Sequence, residues 1–267
     1  MRTARGGACP PGARPGGPCS PRAVLLVSMA ALAALSLSAC ESTQTKSARL
    51  EKTGRNQAKL TTLKTGAANS AVKVLSTAVL HSANGNAAVV QLRNTGPADE
   101  VNVPLLIQVK DPRGTVVYKN DIAGLQPSLQ QMAYLAKGQT AYWVNDQVLA
   151  VDPPKGVDVT VSAAASAPVI DVPKITLSPA KLDHDTTGAY ATGEVKNLSK
   201  IPQLNLPIFA VAHKGSTIVA AGRAIIERLD PAPTKKPVLF KIYFIGDPRG
   251  AALELTAAPT VLKEAAK

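Results

Sequence analysis

The chain changes its hydrophobic pattern three times. Residues 23–39 carry no charge and are interrupted only by Ser28, Ser36 and Ser38. Residues 41–70 are polar, and Leu50, Leu60 and Leu63 are too few to form an amphipathic stripe. From Ala71 onward, short runs rich in Val, Ile and Leu alternate with Gly, Pro, Asn and Asp. The first set is VKVLSTAVL, AAVVQLR, VNVPLLIQVK, GTVVYK, MAYLA, TAYWVN and VDVTVSA. The second is KITLSPAKL, AYATGEVKN, LNLPIFAVAH, STIVAAGRAIIERL, PVLFKIYF and AALELTAA. Strand-length runs at this spacing predict an all-β chain of two tandem Ig-like antiparallel β-sandwich domains, at 71–165 and 168–262, after a leader at 1–39 and a basic tether at 40–70. Alternation through Val101, Val103, Leu105, Ile107 and Val109 puts one face of that strand on a core.

The two sets read as a repeat. Gln91–Asn94 parallels Glu194–Asn197, and Val101–Leu105 parallels Leu204–Ile208, both at an offset of 103. Leu125-x-Pro127 with Leu229-x-Pro231, and Trp143-x-x-Asp146 with Phe244-x-x-Asp247, extend the series at offsets of 104 and 101. The tetrapeptide DPRG, at 111–114 and 247–250, falls outside it and reads as one turn used twice.

The leader carries Arg2, Arg5, Arg14 and Arg22 and no acidic residue. A basic start, an apolar stretch and small residues at its end is the layout of a secretory signal. Leu37-Ser38-Ala39-Cys40 resembles the bacterial lipobox. That resemblance implies a diacylglyceryl group on Cys40, which becomes the mature N-terminus, and a protein held by acyl chains on the extracytoplasmic face of the cell membrane. Without residues 1–39, one cysteine of three is left and no internal disulfide is available. The formal net charge falls from +12 to +8 as the four arginines leave. A basic exported chain meets anionic headgroups or acidic wall polymers. Nucleic acid is not an expected partner, because nine aromatic residues leave few stacking platforms.

Residues 71–165 resemble the FxLYD family of small Ig-like domains of bacterial surface lipoproteins. Leu92-Arg93-Asn94, Ile107–Asp111, Gly114–Val117 and Leu125-Gln126-Pro127 carry the resemblance. The Phe and Tyr of the family's name are absent, and Lys214 stands where the second half would need Asp. The resemblance implies a sandwich fold and no catalytic residues.

Candidate chemistry is sparse. Ser178-Pro179-Ala180-Lys181 matches S-x-x-K, but Pro179 follows a strand-like run where a nucleophile needs a helix start. Asp183-x-Asp185-x-Thr187-Gly188 with Glu194 is one substitution from a calcium loop, yet it lies between strands, and an extended strand carries Glu194 away from the two aspartates. His81, His184 and His213 are isolated and read as surface residues with satisfied polar atoms. Asn197-Leu198-Ser199 is a sequon without meaning in a bacterium. Tyr142-Trp143 and Phe240, Tyr243 and Phe244 read as partly core, with Tyr142 and Tyr243 facing away from Trp143 and Phe244. No metal, cofactor or catalytic residue is assigned. The expected role is a non-catalytic binding or scaffold module for an envelope protein or acidic polymer. The alternative is an accessory solute- or wall-polymer-binding lipoprotein with its ligand in an interdomain groove near 165–173.

Overall fold

A computed structural model describes residue 63 and residues 65–150, 153–163, 169–232 and 237–264. Cys40, the leader, most of the tether and residues 164–168 of the proposed linker lie outside the described residues.

In chain order the first half forms β1 (Val72–Ser82), β2 (Gly85–Asn94), β3 (Glu100–Lys110), β4 (Val116–Lys119), β5 (Gln131–Leu135), β6 (Thr140–Asn145) and β7 (Gly156–Val161), with a 3₁₀ turn at Pro127–Leu129. A short β8 (Val169–Asp171) follows. The second half forms β9 (Ile175–Leu177), β10 (Lys181–His184), β11 (Ala189–Asn197), β12 (Gln203–Lys214), β13 (Thr217–Leu229), β14 (Val238–Tyr243), β15 (Ile245–Gly246), β16 (Ala252–Ala257) and β17 (Lys263–Glu264). All named strand pairs are antiparallel. The fold is an all-β sandwich.

Sheet β1-β2-β6 packs on the sheet in which β3 pairs β4, β5 and β7; sheet β15-β13-β12-β16 packs on the sheet in which β11 pairs β9, β10 and β14. The two sandwiches are themselves stacked. Burial along β12 shows how. Leu206, Ile208, Ala210 and Ala212 point into the second sandwich, whereas the alternate residues Phe209 and Val211 join the core of the first. In β2, Ala87–Val90 are all fully buried, and Ala141–Asn145 of β6 are buried throughout. The result is four sheet layers with β1-β2-β6 and β12-β13 in the middle, where β2, β6 and β12 are buried on both faces along most of their length. All described residues belong to one compact unit, Gln57–Lys267. Ala221 and Ile245 complete the seam between the middle layers.

Two of the four repeat matches occupy equivalent places. Asn94 and Asn197 are buried and do the same work. Asn94 Nδ2 donates to the carbonyls of Ala98 (2.8 Å) and Leu135 (3.1 Å), and its Oδ1 accepts from Gly96 N (2.9 Å). Asn197 Nδ2 donates to Ile201 (2.8 Å) and Leu229 (3.3 Å), and its Oδ1 accepts from Ser199 N (3.0 Å). Asn102 and Asn205 both have a φ of 50°.

The other two matches are corrected by the register. Leu229 corresponds to Leu135, the residue bonded by the equivalent asparagine, and not to Leu125. Phe240 pairs with Gly193 as Trp143 pairs with Val90, so Phe240, and not Phe244, is the counterpart of Trp143. Loop length explains the slip. β13 is continuous for 13 residues, where the first half breaks into β4 and β5 around the 3₁₀ turn.

Candidate functional site

Where the middle layers end, the 3₁₀ turn and β5 of the first sandwich approach β12 and β13 of the second. Trp143 fixes the turn, its Nε1 donating to the Ser128 carbonyl at 2.8 Å. Arg223 ties the turn to the other sandwich. It stands opposite Phe209 on the seam face, with its side chain only 4% exposed. Its Nε donates to Asp146 Oδ1 (3.0 Å), and one terminal nitrogen donates to Gln126 Oε1 (2.9 Å) and Ser128 Oγ (2.7 Å). A guanidinium with carboxylate and neutral acceptors satisfies the charge that burial would otherwise penalise.

Beside this tie lies a groove of about 370 Å³, within the range of small-ligand clefts. Its polar lining comes from both sandwiches: Asn102, Gln126, Ser128 and Gln131 on one side, Asn205 and Thr260 on the other. Pro127, Ala133, Leu204, Pro207 and Ile225 supply its apolar surface. Among the described residues that line it, none is charged. The two asparagines take a left-handed backbone that their short polar side chains tolerate better than most. The ladder passes over both: Val101 pairs Tyr134 and Val103 pairs Met132, while Leu204 pairs Arg228 and Leu206 pairs Ile226. Gln131 Nε2 donates to Asn102 Oδ1 at 3.1 Å. This cleft lies at the 3₁₀ turn; of the residues near 165–173 where an interdomain groove was expected, Val169–Asp171 form β8, paired with β17, and 164–168 lie outside the described residues.

The residues singled out in the sequence lie elsewhere. Asp185 sits in the β10–β11 turn, its Oδ2 accepting from Lys241 Nζ (2.7 Å) and Tyr243 Oη (2.8 Å) and its Oδ1 from Thr187 N (2.9 Å). The Lys241 and Tyr243 hydrogen bonds hold its carboxyl well below the usual carboxylate range. Asp183 accepts from Tyr190 Oη at 3.2 Å. Glu194 pairs with Leu239, five residues along β11 from the turn-flanking Ala189, about 17 Å of extended chain. No group of three or more His, Cys, Asp or Glu among the described residues is placed to hold a metal ion. Ser178 lies between β9 and β10, its Oγ accepting from Glu194 N at 2.8 Å, and Lys181 opens β10.

One expectation about exposure fails. His213 is half-buried at the seam, its ring centroid 5.1 Å from that of Tyr142, and its Nε2 is buried without a partner. Tyr142 faces away from Trp143 and is packed, as expected: the second sandwich covers that face and leaves Tyr142 6% exposed. Burial, then the charge of Glu254, pushes its hydroxyl pKa up. The DPRG turns match as expected: in each the aspartate accepts from the arginine's backbone N and Nε, and the glycine has positive φ.

Sequence reasoning missed the Arg223–Asp146 tie and the groove at the 3₁₀ turn. Neither a family model nor a curated protein matches the chain.

Proposed function

We propose that the chain is a lipid-anchored cell-envelope protein, held through Cys40, that acts as a non-catalytic binding module. The observation that carries this reading is the groove itself. The shared core and the Arg223 tie hold its two walls at fixed separation, so the site is formed before any ligand arrives. Among the described lining residues, the hydroxyls come from Ser128 and Thr260, and Ser128 Oγ accepts from Arg223. No acid, base or thiol accompanies them among the described lining residues, an arrangement that favours binding over group transfer. The LSAC segment and the likeness to FxLYD domains support the envelope location.

The same groove favours one form of the second reading, an accessory lipoprotein that captures a solute or wall polymer between its sandwiches. An acidic polymer would find no cation in the lining and would instead meet the scattered surface lysines and arginines.

A photo-crosslinking residue at Asn205, and another at Leu239 on the outermost sheet, tests the module in cells carrying the full chain. A discrete adduct from position 205 and none from 239 is expected. An adduct from 239 alone moves binding to the sheet face, and none from either removes the binding reading.

A further inference from the structure

We infer that the groove takes an uncharged, extended peptide segment with small apolar side chains. This rests on the reading of the chain as a binding module and adds the class of ligand.

The lining selects by chemistry. Carboxamides offer both donors and an acceptor, which suits a peptide backbone that presents N–H and C=O in alternation. Such amides stand on both walls, Asn102 and Gln131 on one and Asn205 on the other. The Asn205 side chain has no protein partner among the described residues, and Asn205 is an exposed residue of the groove lining. Between the amides, Ala133, Pro207 and Ile225 give an apolar floor for small side chains. An ionised ligand group would lose water there and meet no charged side chain among the described lining residues, the neighbouring Arg223 being already paired with Asp146. A sugar ring, whose apolar face stacks on an aromatic plane, finds none in the lining.

The single tryptophan is a built-in reporter, because its indole N–H is bonded to Ser128 at the groove wall. The full chain is titrated with acetyl-tetraalanine amide, with the same peptide carrying one Glu or one Lys, and with maltotetraose. Trp143 fluorescence and calorimetry are the readouts. Asn102→Gly and Asn205→Gly remove the amides while keeping a residue at ease at positive φ, so both variants should melt like the native chain. Saturable binding of the neutral peptide is expected, weakened at least about tenfold by either charge and by either glycine variant. Equal binding of the charged peptides, binding of the sugar in place of the peptide, or no saturable response overturns the inference. So does neutral-peptide affinity that is unchanged in both variants. The binding-module reading is judged separately, by the adducts at positions 205 and 239.

Discussion

Arg223→Ala should loosen the seam. The substitution leaves Asp146, 22% exposed, facing the space of a guanidinium that was itself 4% exposed. Removing one partner of a buried pair costs about 3–5 kcal/mol. Partial water access to Asp146 places this case at the lower end, about 3 kcal/mol. For a unit of this size that lowers Tm by about 6–12 °C. Urea and thermal unfolding followed by Trp143 fluorescence and by far-ultraviolet circular dichroism measure it. Both probes should give one coincident transition, because the middle layers share a core. Replacing both partners, Arg223→Met with Asp146→Leu, should recover at least half of the loss, since no uncompensated charge is left. A loss under about 1 kcal/mol for Arg223→Ala, or separate transitions for the two sandwiches in the native chain, would refute the view of the seam as one tied body.

Asn94→Ala and Asn197→Ala each remove three hydrogen bonds to backbone groups, and each should cost about 3 kcal/mol in urea unfolding; a loss confined to one of them would break the equivalence of the halves. Gly222→Ala places a Cβ 2.1 Å from the Tyr243 carbonyl oxygen, a backbone atom that cannot yield, and should cost about 3 kcal/mol. Gly156→Ala, which meets nothing within 4 Å, is the control and should change stability by under about 1 kcal/mol. Asp185 has a depressed folded pKa, so its contribution to stability is complete above about pH 4 and is lost as pH falls through the folded value. Urea midpoints of Asp185→Asn and the native chain should therefore differ at neutral pH and converge in acid; a constant gap would contradict this.

Strand content was legible because Val, Ile and Leu runs punctuated by turn residues leave little choice of element. The alternation from Val101 to Val109 placed β3 on a core directly. Stacking of the sandwiches was less visible, although a signal existed. Ala87–Val90 and Pro207–Ala212 are continuous apolar runs, the mark of strands buried on both faces. Outermost β14 instead alternates, with Phe240 and Ile242 inward and Leu239 and Tyr243 out. Offsets between the halves held only as far as loops of equal length carried them, which is why Asn94 and Asn102 found their partners and Trp143 did not. The Arg223–Asp146 tie joins residues 77 apart with no local pattern to mark them. Asn102 and Asn205 were visible as a repeated pair, but their left-handed backbone sits where each strand ladder skips a residue, and their shared groove arises only from the way the sandwiches meet.

The claim that this is an anchored envelope protein is tested most directly by the mass of the mature N-terminal peptide from membranes, beside a Cys40→Ala variant. The account predicts a chain that begins at Cys40 with a lipid adduct, absent in the variant. An intact leader, or an unmodified Cys40, would contradict it.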